Sequence, residues 1–296
     1  MDLEHAASEA IVVGVDGSTD SDRAVIWGVE QAALEGRRLL VVHGGMRSAG
    51  YLRHCDVRDA TRRSLDASTA ERDLVHQTHQ LARRRRPTVR VDHYLTDMPS
   101  RRALLAASPS ANLIVVGSRG RGNVRSSLLG SVSVNIAKRA GCPVVVTRPH
   151  RPGKWKSGVL VGADGSADSH QVIEFAFQMA SLRRLPLTVM HSTLHADTPA
   201  SPTSLNPDAH SSELHRMLAQ SVAGFAERFP DVYVTRRIAH GLPEDQLRGG
   251  LHPWSLIVVG RRQHKSWRLG QRSVATSILE RYAGVIAVVP KTPQAL

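Results

Sequence analysis

An internal repeat constrains the fold of this sequence more than any other feature. The stretch IVVGVDGS at residues 11–18 recurs as VLVGADGS at residues 159–166, which is 148 positions further along the chain. Likewise, LIVVG at residues 113–117 recurs with the same letters at residues 256–260, which is 143 positions further along. Because the two offsets are nearly equal, the repeat predicts two copies of a whole domain with small differences in loop length.

The boundary between the two predicted domains falls in the segment RPHRPGKWKSG at residues 148–158. This segment is rich in proline, glycine and cations, which is typical of a linker. We therefore expect domains at residues 1–150 and 151–296, each long enough to bury its own core. A composition of 41% apolar and 22% charged residues is that of a globular protein.

Short apolar runs alternate with longer amphipathic stretches in both halves of the chain. Strands are predicted near residues 10–15, 39–43, 89–94, 113–116 and 144–147, and again near 159–163, 185–191, 233–239, 256–259 and 286–289. Helices are predicted between the strands, in the first half at residues 21–34, 56–82, 100–107 and 131–140. This alternation predicts an α/β fold in which helices cover both faces of a parallel sheet. Residues 194–208 are predicted to form a loop.

We expect a cytoplasmic protein without a membrane segment. The N-terminal residues MDLEHAASEA are acidic and polar, unlike a signal peptide. No apolar run approaches the roughly 18 residues that span a bilayer. Cys55 and Cys142 are too few for a disulfide framework, which agrees with a reducing compartment.

The chain carries 39 basic and 26 acidic residues, and this net charge of +13 makes nucleic acid a partner to consider. The one dense basic run, at residues 83–86, follows a predicted helix, where the helix dipole stabilises cations. No recognition motif or aromatic stacking pattern accompanies the charge, so the sequence does not favour nucleic-acid binding. A basic interaction module that binds nucleic acid or protein without nucleotide is kept as an alternative.

A glycine-rich loop, GSRGRGNVRSSLLGS, directly follows the apolar run LIVV in the first half. Gly117 permits the sharp turn that ends a buried strand, and Gly120 allows a bound group to approach the main chain. Gly130 and Ser131 then open the next predicted helix, whose N–H groups and positive dipole end form an anion site. Asp16 follows the first strand and would share the crevice beyond the strand ends.

Other ligand-binding patterns fit this sequence less well. The chain contains no G-x-x-x-x-G-K-[ST], and its glycines do not follow the G-x-G-x-x-G order behind a first strand. Two histidine pairs occur, at residues 76 and 79 and at residues 191 and 195. No carboxylate or cysteine joins either pair at ligand spacing, so we expect no metal site.

The spacing G-x2-G-x9-G-[ST] in the glycine-rich loop resembles the ATP-binding signature of the universal stress protein family. VGVDGS at residues 13–18, GSVS at residues 130–133 and CPVVV at residues 142–146 are further family-like features. The resemblance covers almost the whole chain as two tandem copies, an arrangement known in actinobacterial members of the family.

The resemblance implies two tandem Rossmann-like domains of the adenine nucleotide alpha hydrolase-like type, each with a five-stranded parallel sheet in the order 3-2-1-4-5. It implies ATP as the ligand, with Mg²⁺ as a candidate accompanying ion and without an evident hydrolytic apparatus. It also implies a homodimer, or a pairing of the two copies, through the last strands. By this resemblance, the ATP-binding residues are Gly14, Val15, Asp16, Val41, Val42, Gly117, Arg119, Gly120, Gly122, Gly130, Ser131, Val132 and Ser133.

The second copy departs from this pattern. Gly260 keeps the first glycine, but Gln263 occupies the position of the second, and either Arg272 or Ser273 occupies that of the third. A side chain at Gln263 would intrude where the backbone must approach a phosphate, so we expect ATP affinity to be weak or absent in this copy. Arginines and lysines leave the loop cationic, which is consistent with binding of another anion or a partner, or with a degenerate, solvated loop.

The sequence therefore predicts an ATP-binding sensor or regulator in stress response or dormancy, a role that the resemblance implies. No acid, base or nucleophile stands in a convincing catalytic arrangement, so no catalytic residue is predicted. One alternative is a weak ATPase or self-phosphorylating enzyme, whose phosphate acceptors would be serines near the loop, namely Ser126, Ser127, Ser131 and Ser133. The other alternative is the basic interaction module.

Overall fold

The computed structural model of the protein describes residues 2–44, 57–120, 130–149, 158–166, 169–193, 207–248, 254–261 and 273–291. The chain divides into two compact units, Met1–Arg148 and Pro149–Leu296. Most of the predicted linker and most of the predicted loop at 194–208 lie outside the described residues. In the part of the chain that the structure describes, no helix is long and apolar enough to cross a membrane.

The first unit is a parallel sheet with helices between its strands. The strands are β1 (Ile11–Gly14), β2 (Leu39–Gly44), β3 (Val91–Thr96), β4 (Leu113–Gly117) and β5 (Val144–Thr147). The helices are α1 (Leu3–Ala7), α2 (Thr19–Glu35), α3 (Val57–Arg85), α4 (Ser100–Ala107) and α5 (Ser131–Arg139). Neighbouring strands are parallel and follow the order β3-β2-β1-β4-β5, so the order 3-2-1-4-5 that the resemblance implied is confirmed.

The second unit repeats this architecture. Its strands are β6 (Val159–Gly162), β7 (Leu187–Thr193), β8 (Val234–His240), β9 (Leu256–Gly260) and β10 (Val285–Val289). Its helices are α6 (Ser169–Arg183), α7 (Pro207–Arg228), α8 (Pro243–Arg248) and α9 (Val274–Arg281). The strands are parallel in the order β8-β7-β6-β9-β10, which is again 3-2-1-4-5 counted within the unit. The predicted α/β class is therefore confirmed in both halves.

The central strands β1 and β4 are buried on both faces, which explains their continuous runs of Val, Ile and Leu. Helix α2 begins after Ser18, whose hydroxyl accepts the N–H of Ser21, and it ends at Gly36 in the left-handed conformation with φ of 63°. Within α2, a Cβ at Gly28 would lie 2.6 Å from a methyl carbon of Val13. The helix therefore packs closely on β1 and fixes the position of its own N-terminal turn.

An aromatic cluster holds the second unit together. The ring of Phe177 in α6 stacks on Phe225 and Phe229, with centroid distances of 5.4 and 5.7 Å. The guanidinium of Arg228 lies 5.7 Å from the centre of the Phe225 ring, within the range of a cation–π interaction. Phe177 and Phe225 are both almost fully buried. This cluster joins α6 and α7 on one face of the sheet.

Several local features differ from the sequence predictions, and for helix α1 and the start of strand β7 the structure shows the physical reason. Helix α1 was not predicted, because its five residues carry little periodic signal; it is held by packing on α4, with Leu3 only 1% exposed. Strand β7 begins at Leu187 rather than near residue 185. The reason is that the N–H of Leu185 still donates to the carbonyl of Ala180 at the end of α6, and the following proline has no N–H.

Replacing Phe225 by alanine is expected to lower the unfolding free energy of the protein by about 3–5 kcal/mol, because the cavity left in the aromatic cluster loses packing on all sides. Tyr233→Ala provides the matched control, since that ring is 74% exposed and its removal is expected to change stability by less than about 0.5 kcal/mol. Equilibrium unfolding in urea measures both variants. Equal losses of unfolding free energy in the two variants would show that the aromatic cluster is not part of the packed core.

Candidate functional site

The carboxyl ends of β1 and β4 lie side by side in the first unit. Gly14 of β1 is in register with Val116 of β4, so the loops that follow both strands emerge next to each other. The strand order also reverses at this pair, because the chain continues from β1 to β2 on one side and from β4 to β5 on the other. In open parallel sheets, ligands bind at such a switch point.

The loop after β1 and the loop after β4 are in contact. The Oδ1 atom of Asp16 accepts hydrogen bonds from the N–H of Ser18 at 3.0 Å and from its hydroxyl at 2.7 Å. The Ser18 hydroxyl is also 3.3 Å from the carbonyl oxygen of Arg119. A Cβ at Gly120 would collide with Oδ2 of Asp16. A side chain at Gly120 would therefore force the Asp16 carboxylate or the loop to move, in addition to any effect on a ligand.

The start of the glycine-rich loop is anchored on the N-terminal turn of α2. A Cβ at Gly117 would lie only 2.6 Å from the backbone of Asp20. The hydroxyl of the next residue, Ser118, donates to Oδ2 of Asp20 at 2.7 Å in a buried hydrogen bond. Asp20 also forms an ion pair with Arg23. These contacts were not predicted from the sequence, since residues 98 positions apart carry no local signal of their pairing.

The N-terminus of α5 faces this loop without a side-chain cap. Gly130 is its N-cap residue, and the first turn contains no acidic side chain. The backbone N–H of Gly130 donates to the carbonyl of Ser118 at 2.8 Å, which holds the helix end against the loop. The N–H groups of the first helical turn have no intrahelical acceptor by the geometry of an α-helix. Such an end, with its positive dipole, attracts anions.

Charged side chains surround the same strand ends. Burial lowers the pKa of the Arg148 guanidinium, the nearby Arg119 cation lowers it further, and Asp20 opposes the shift. The two arginines therefore lie close enough to repel each other, which a bound anion would relieve. Burial also raises the pKa of Asp22; Arg23 opposes this shift, and the neighbouring Asp16 adds to it.

The remaining residues of the predicted site are distributed unevenly. Ser131 is exposed at the start of α5, and Val132 is partly exposed, whereas Ser133 is buried and its hydroxyl donates to the carbonyl of Gly117 at 2.6 Å. Gly122 lies outside the described residues. The structure therefore keeps Ser131 open at the helix end and uses Ser133 to hold the loop.

Val41 and Val42 lie inside the sheet, between β1 and β3. The carbonyl of Val42 accepts the N–H of Val15 at 3.0 Å, and the carbonyl of Val15 is in turn 2.8 Å from Nδ1 of His43. Backbone groups in this ladder already have partners, and β2 continues to Gly44 before it ends.

The second copy closes the corresponding helix end with its own side chain. Ser273 is the N-cap of α9, and its hydroxyl accepts the N–H of Thr276 at 3.2 Å. Its place as N-cap identifies Ser273, rather than Arg272, as the counterpart of Gly130. Arg272 and Gln263 themselves lie outside the described residues.

The aspartate of the second copy is also engaged locally. Oδ1 of Asp164 accepts from the N–H of Ser166 at 3.0 Å and from the hydroxyls of both Ser166 and Ser169. These contacts of Asp164 with Ser166 match those of Asp16 with Ser18, and the Ser169 hydroxyl is an additional donor in the second copy. A further contact is common to both copies: Nδ1 of His191 lies 2.9 Å from the carbonyl of Ala163, as His43 does with Val15. The ends of the first two strands are thus built alike in the two units.

A cavity of about 170 Å³ lies in the second unit, at the carboxyl ends of β6, β7, β9 and β10. Asp164, His191 and Arg261 are among the residues that line it. The repeated motifs mark the strand ends of this cavity, since Asp164 and Gly260 belong to them, but no motif marks the apolar wall that α8 and α9 contribute through Leu247 and Val274. Among the residues that the structure describes, no group of three or more His, Cys, Asp or Glu residues is arranged to hold a metal ion.

Comparison with known proteins identifies one family in both halves of the chain. The model of the universal stress protein family matches residues 8–148 and 158–284. A universal stress protein of Mycobacterium tuberculosis is 33% identical over 270 residues, which cover 84% of this chain and 86% of the relative. A universal stress protein of Mycolicibacterium smegmatis is 32% identical over 271 residues, which cover 87% and 88% of the two chains.

Solved structures of other proteins share the fold of this chain. A universal stress protein from Archaeoglobus fulgidus superposes with a TM-score of 0.63 at 17% identity, covering 98% of both chains. A putative universal stress protein from Pseudomonas aeruginosa superposes with a TM-score of 0.60 at 15% identity, covering 98% of this chain and 95% of that one. At 15–17% sequence identity, this similarity shows that the fold is shared and nothing further.

Replacing Ser118 by alanine is expected to lower the unfolding free energy by about 1–3 kcal/mol, because the Asp20 carboxylate loses a donor in a buried setting. Ser131→Ala is the control, since that hydroxyl is exposed and its removal is expected to change stability by less than about 0.5 kcal/mol. Urea unfolding of both variants measures the difference. A Ser118 variant as stable as the control would mean that this hydrogen bond does not anchor the loop.

Proposed function

The chain belongs to the universal stress protein family, and we propose that its first domain binds ATP at the carboxyl ends of β1 and β4. The observation that carries this proposal is the N-terminus of α5, which begins at a glycine without a capping side chain and has no acidic residue in its first turn. The second domain is proposed to bind ATP weakly or not at all.

The phosphates of ATP would be held by main-chain groups and cations. The N–H groups of Ser131, Val132 and Ser133 point out of the first turn of α5 and suit a multiply charged anion. Arg119 and Arg148 lie near the same strand ends, and a bound phosphate would relieve the repulsion between their guanidinium groups. Binding is therefore expected to weaken as the salt concentration rises.

The adenosine end of the ligand would lie nearer to β1 and β2. Asp16 would accept hydrogen bonds from the ribose or the adenine amine, which adds to its contacts with Ser18. On β2, the proposed contact is a backbone group of Val41 or Val42, both of which lie within the sheet. If Mg²⁺ accompanies ATP, Asp16 and Asp22 would supply oxygen ligands of the type that this ion prefers.

The proposed role is that of a nucleotide-dependent sensor or regulator in stress response or dormancy, in the cytoplasm. A ligand that binds only the native state stabilises that state by an amount that grows with its concentration. ATP contacts at Gly120 and Gly130 would change the surface that a partner meets. The homodimer, or a pairing of the two copies through β5 and β10, stays a prediction.

A self-phosphorylating enzyme receives less support from the site. Ser133 is 4% exposed, and its hydroxyl donates to the carbonyl of Gly117. A nucleophile must instead reach the reacting phosphorus with a base beside it. Ser126 and Ser127 lie outside the described residues. The geometry at Ser133 therefore supports a binding role rather than phosphate acceptance.

Gly120→Ala is expected to raise the Kd for ATP at least about tenfold, equivalent to about 1.4 kcal/mol. The added Cβ would meet the Asp16 carboxylate and push the loop away from its position beside α5. The adenine nucleotide released from freshly purified protein by denaturation, and quantified by chromatography, measures the loss together with a titration of ATP.

Gly224→Ala is the matched control, because a Cβ at that position in α7 would meet nothing within 4 Å. It is expected to retain the nucleotide content and the Kd of the wild type. Thermal unfolding without nucleotide separates a folding defect of Gly120→Ala from a binding defect. Unchanged ATP binding in Gly120→Ala, with its fold intact, would contradict the proposed site.

A further inference from the structure

The cavity in the second unit is lined by Gly162, Asp164 and Gly260, which are the repeat counterparts of residues at the proposed ATP site. It is therefore the second copy's own crevice at the strand ends, and it is separate from the site in the first unit. It is bounded below by the carboxyl ends of β6, β7, β9 and β10 and at the sides by α6, α8 and α9. Its volume is about 170 Å³. An engineered protein cavity of about 150 Å³ with an apolar lining holds one benzene molecule, so this cavity is large enough for a small organic molecule.

The cavity exists because the helices approach the strand ends less closely than in the first unit. A Cβ at Gly14 would lie 2.7 Å from Leu104 of α4, whereas at the equivalent Gly162 the nearest atom, in Leu247 of α8, is 3.4 Å away. Deeper in, the nearest atom to a Cβ at Gly260 is a methyl carbon of Val172, at 3.0 Å. The leucine of α8 therefore lies farther from its strand end than the leucine of α4 does, which leaves space between α8 and the sheet.

The walls of this cavity are aliphatic. Val172, Met190, Leu247 and Val259 line it, and each is at most 5% exposed. Their methyl and thioether groups offer dispersion contacts and gain from excluding water, but they make no hydrogen bonds. The part of a ligand that contacts these walls is expected to be apolar and compact.

Two cationic residues follow the ends of β9 and β10. Arg261 directly follows β9 and Lys291 follows β10 by two positions, and both line the cavity. An arginine fork and an ammonium group favour a carboxylate at that end of the ligand. The nearest acid on the lining, Asp164, already accepts from the hydroxyls of Ser166 and Ser169, which offsets its repulsion of an anion.

The helix end beside the cavity is unsuited to a chain of phosphates. The Ser273 hydroxyl accepts the N–H of Thr276, so the first turn of α9 is closed by its own cap, unlike that of α5. A ligand that needs only one anionic group, bound by side chains rather than by a helix end, fits this arrangement better than a nucleotide.

We propose that the cavity of the second unit binds a small aliphatic carboxylate, with its carboxylate against Arg261 and Lys291 and its hydrocarbon chain against Met190, Leu247 and Val172. This site is independent of the proposed ATP site, because every residue that lines it belongs to the second unit. The second domain would then sense an organic acid while the first senses ATP.

The test titrates hexanoate into the full chain carrying ¹³C-methyl-labelled methionine, with the Met190 signal assigned by Met190→Leu. Hexanoate is expected to shift the Met190 signal with saturation, and 1-hexanol, which has the same chain without the charge, is expected to bind at least about tenfold more weakly. Failure of hexanoate to shift Met190, or equal binding of the alcohol, would overturn the proposal.

The double variant Arg261→Gln with Lys291→Gln is expected to raise the Kd for hexanoate at least about fivefold while leaving the binding of 1-hexanol unchanged. Arg236→Gln is the control, because it removes an exposed cation from β8 of the same unit and does not line the cavity. It is expected to leave the Kd unchanged.

ATP forms the third arm of the test. If ATP shifts the Met190 signal and displaces hexanoate, the cavity is a nucleotide site and the proposal is wrong. If ATP binds the chain and leaves Met190 unmoved, both proposals stand. If ATP binds nowhere while hexanoate shifts Met190, only the ATP site of the first domain fails.

Discussion

The contact between the loops after β1 and β4 is the constraint on which the first unit's site depends. The Asp16 carboxylate lies so close to Gly120 that a side chain there would displace it, and the backbone of Asp20 excludes a side chain at Gly117. A buried hydrogen bond from Ser118 to Asp20 fixes the loop to the start of α2. Because Ser118 also accepts the N–H of Gly130, the same anchor sets the position of the α5 N-terminus. The proposed anion binding at that helix end would thus depend on packing within the loop.

The two halves of the chain share a sheet order but differ in how their helix ends are closed. Gly130 leaves the first turn of α5 without a cap, whereas Ser273 caps α9 with its hydroxyl. A single hydroxyl at the N-cap therefore closes a helix end that is open to an anion in the other copy, although it stabilises the helix by only roughly a few tenths of a kcal/mol more than a glycine N-cap. The second unit has in turn kept an aliphatic cavity at its strand ends. The repeat preserved the scaffold, and the loops and caps diverged.

Much of the fold could be predicted from the repeat and the alternation of apolar runs, because central strands such as β4 are buried along their whole length and must be continuous in Val, Ile and Leu. Helix α1 escaped prediction because tertiary packing of Leu3, rather than periodicity, holds it. The glycines of the candidate site could be predicted because a turn, a close approach to the main chain or a helix start favours glycine, and all three are local features of the backbone. The partnership of Ser118 with Asp20, and the cavity beside Leu247, were not found because they arise from distant residues meeting in the fold. The Ser273 cap could have been found, since serine before an apolar helical run is a recognised helix start.

We propose that an uncapped helix end and a glycine-supported loop make the first copy, and only the first, a site for ATP. Isothermal titration of the full chain with ATP tests this proposal, because the stoichiometry counts working sites without any substitution. One ATP bound per chain is expected, with an affinity that falls as salt is added. Two equal sites per chain, or no binding at all, would contradict it.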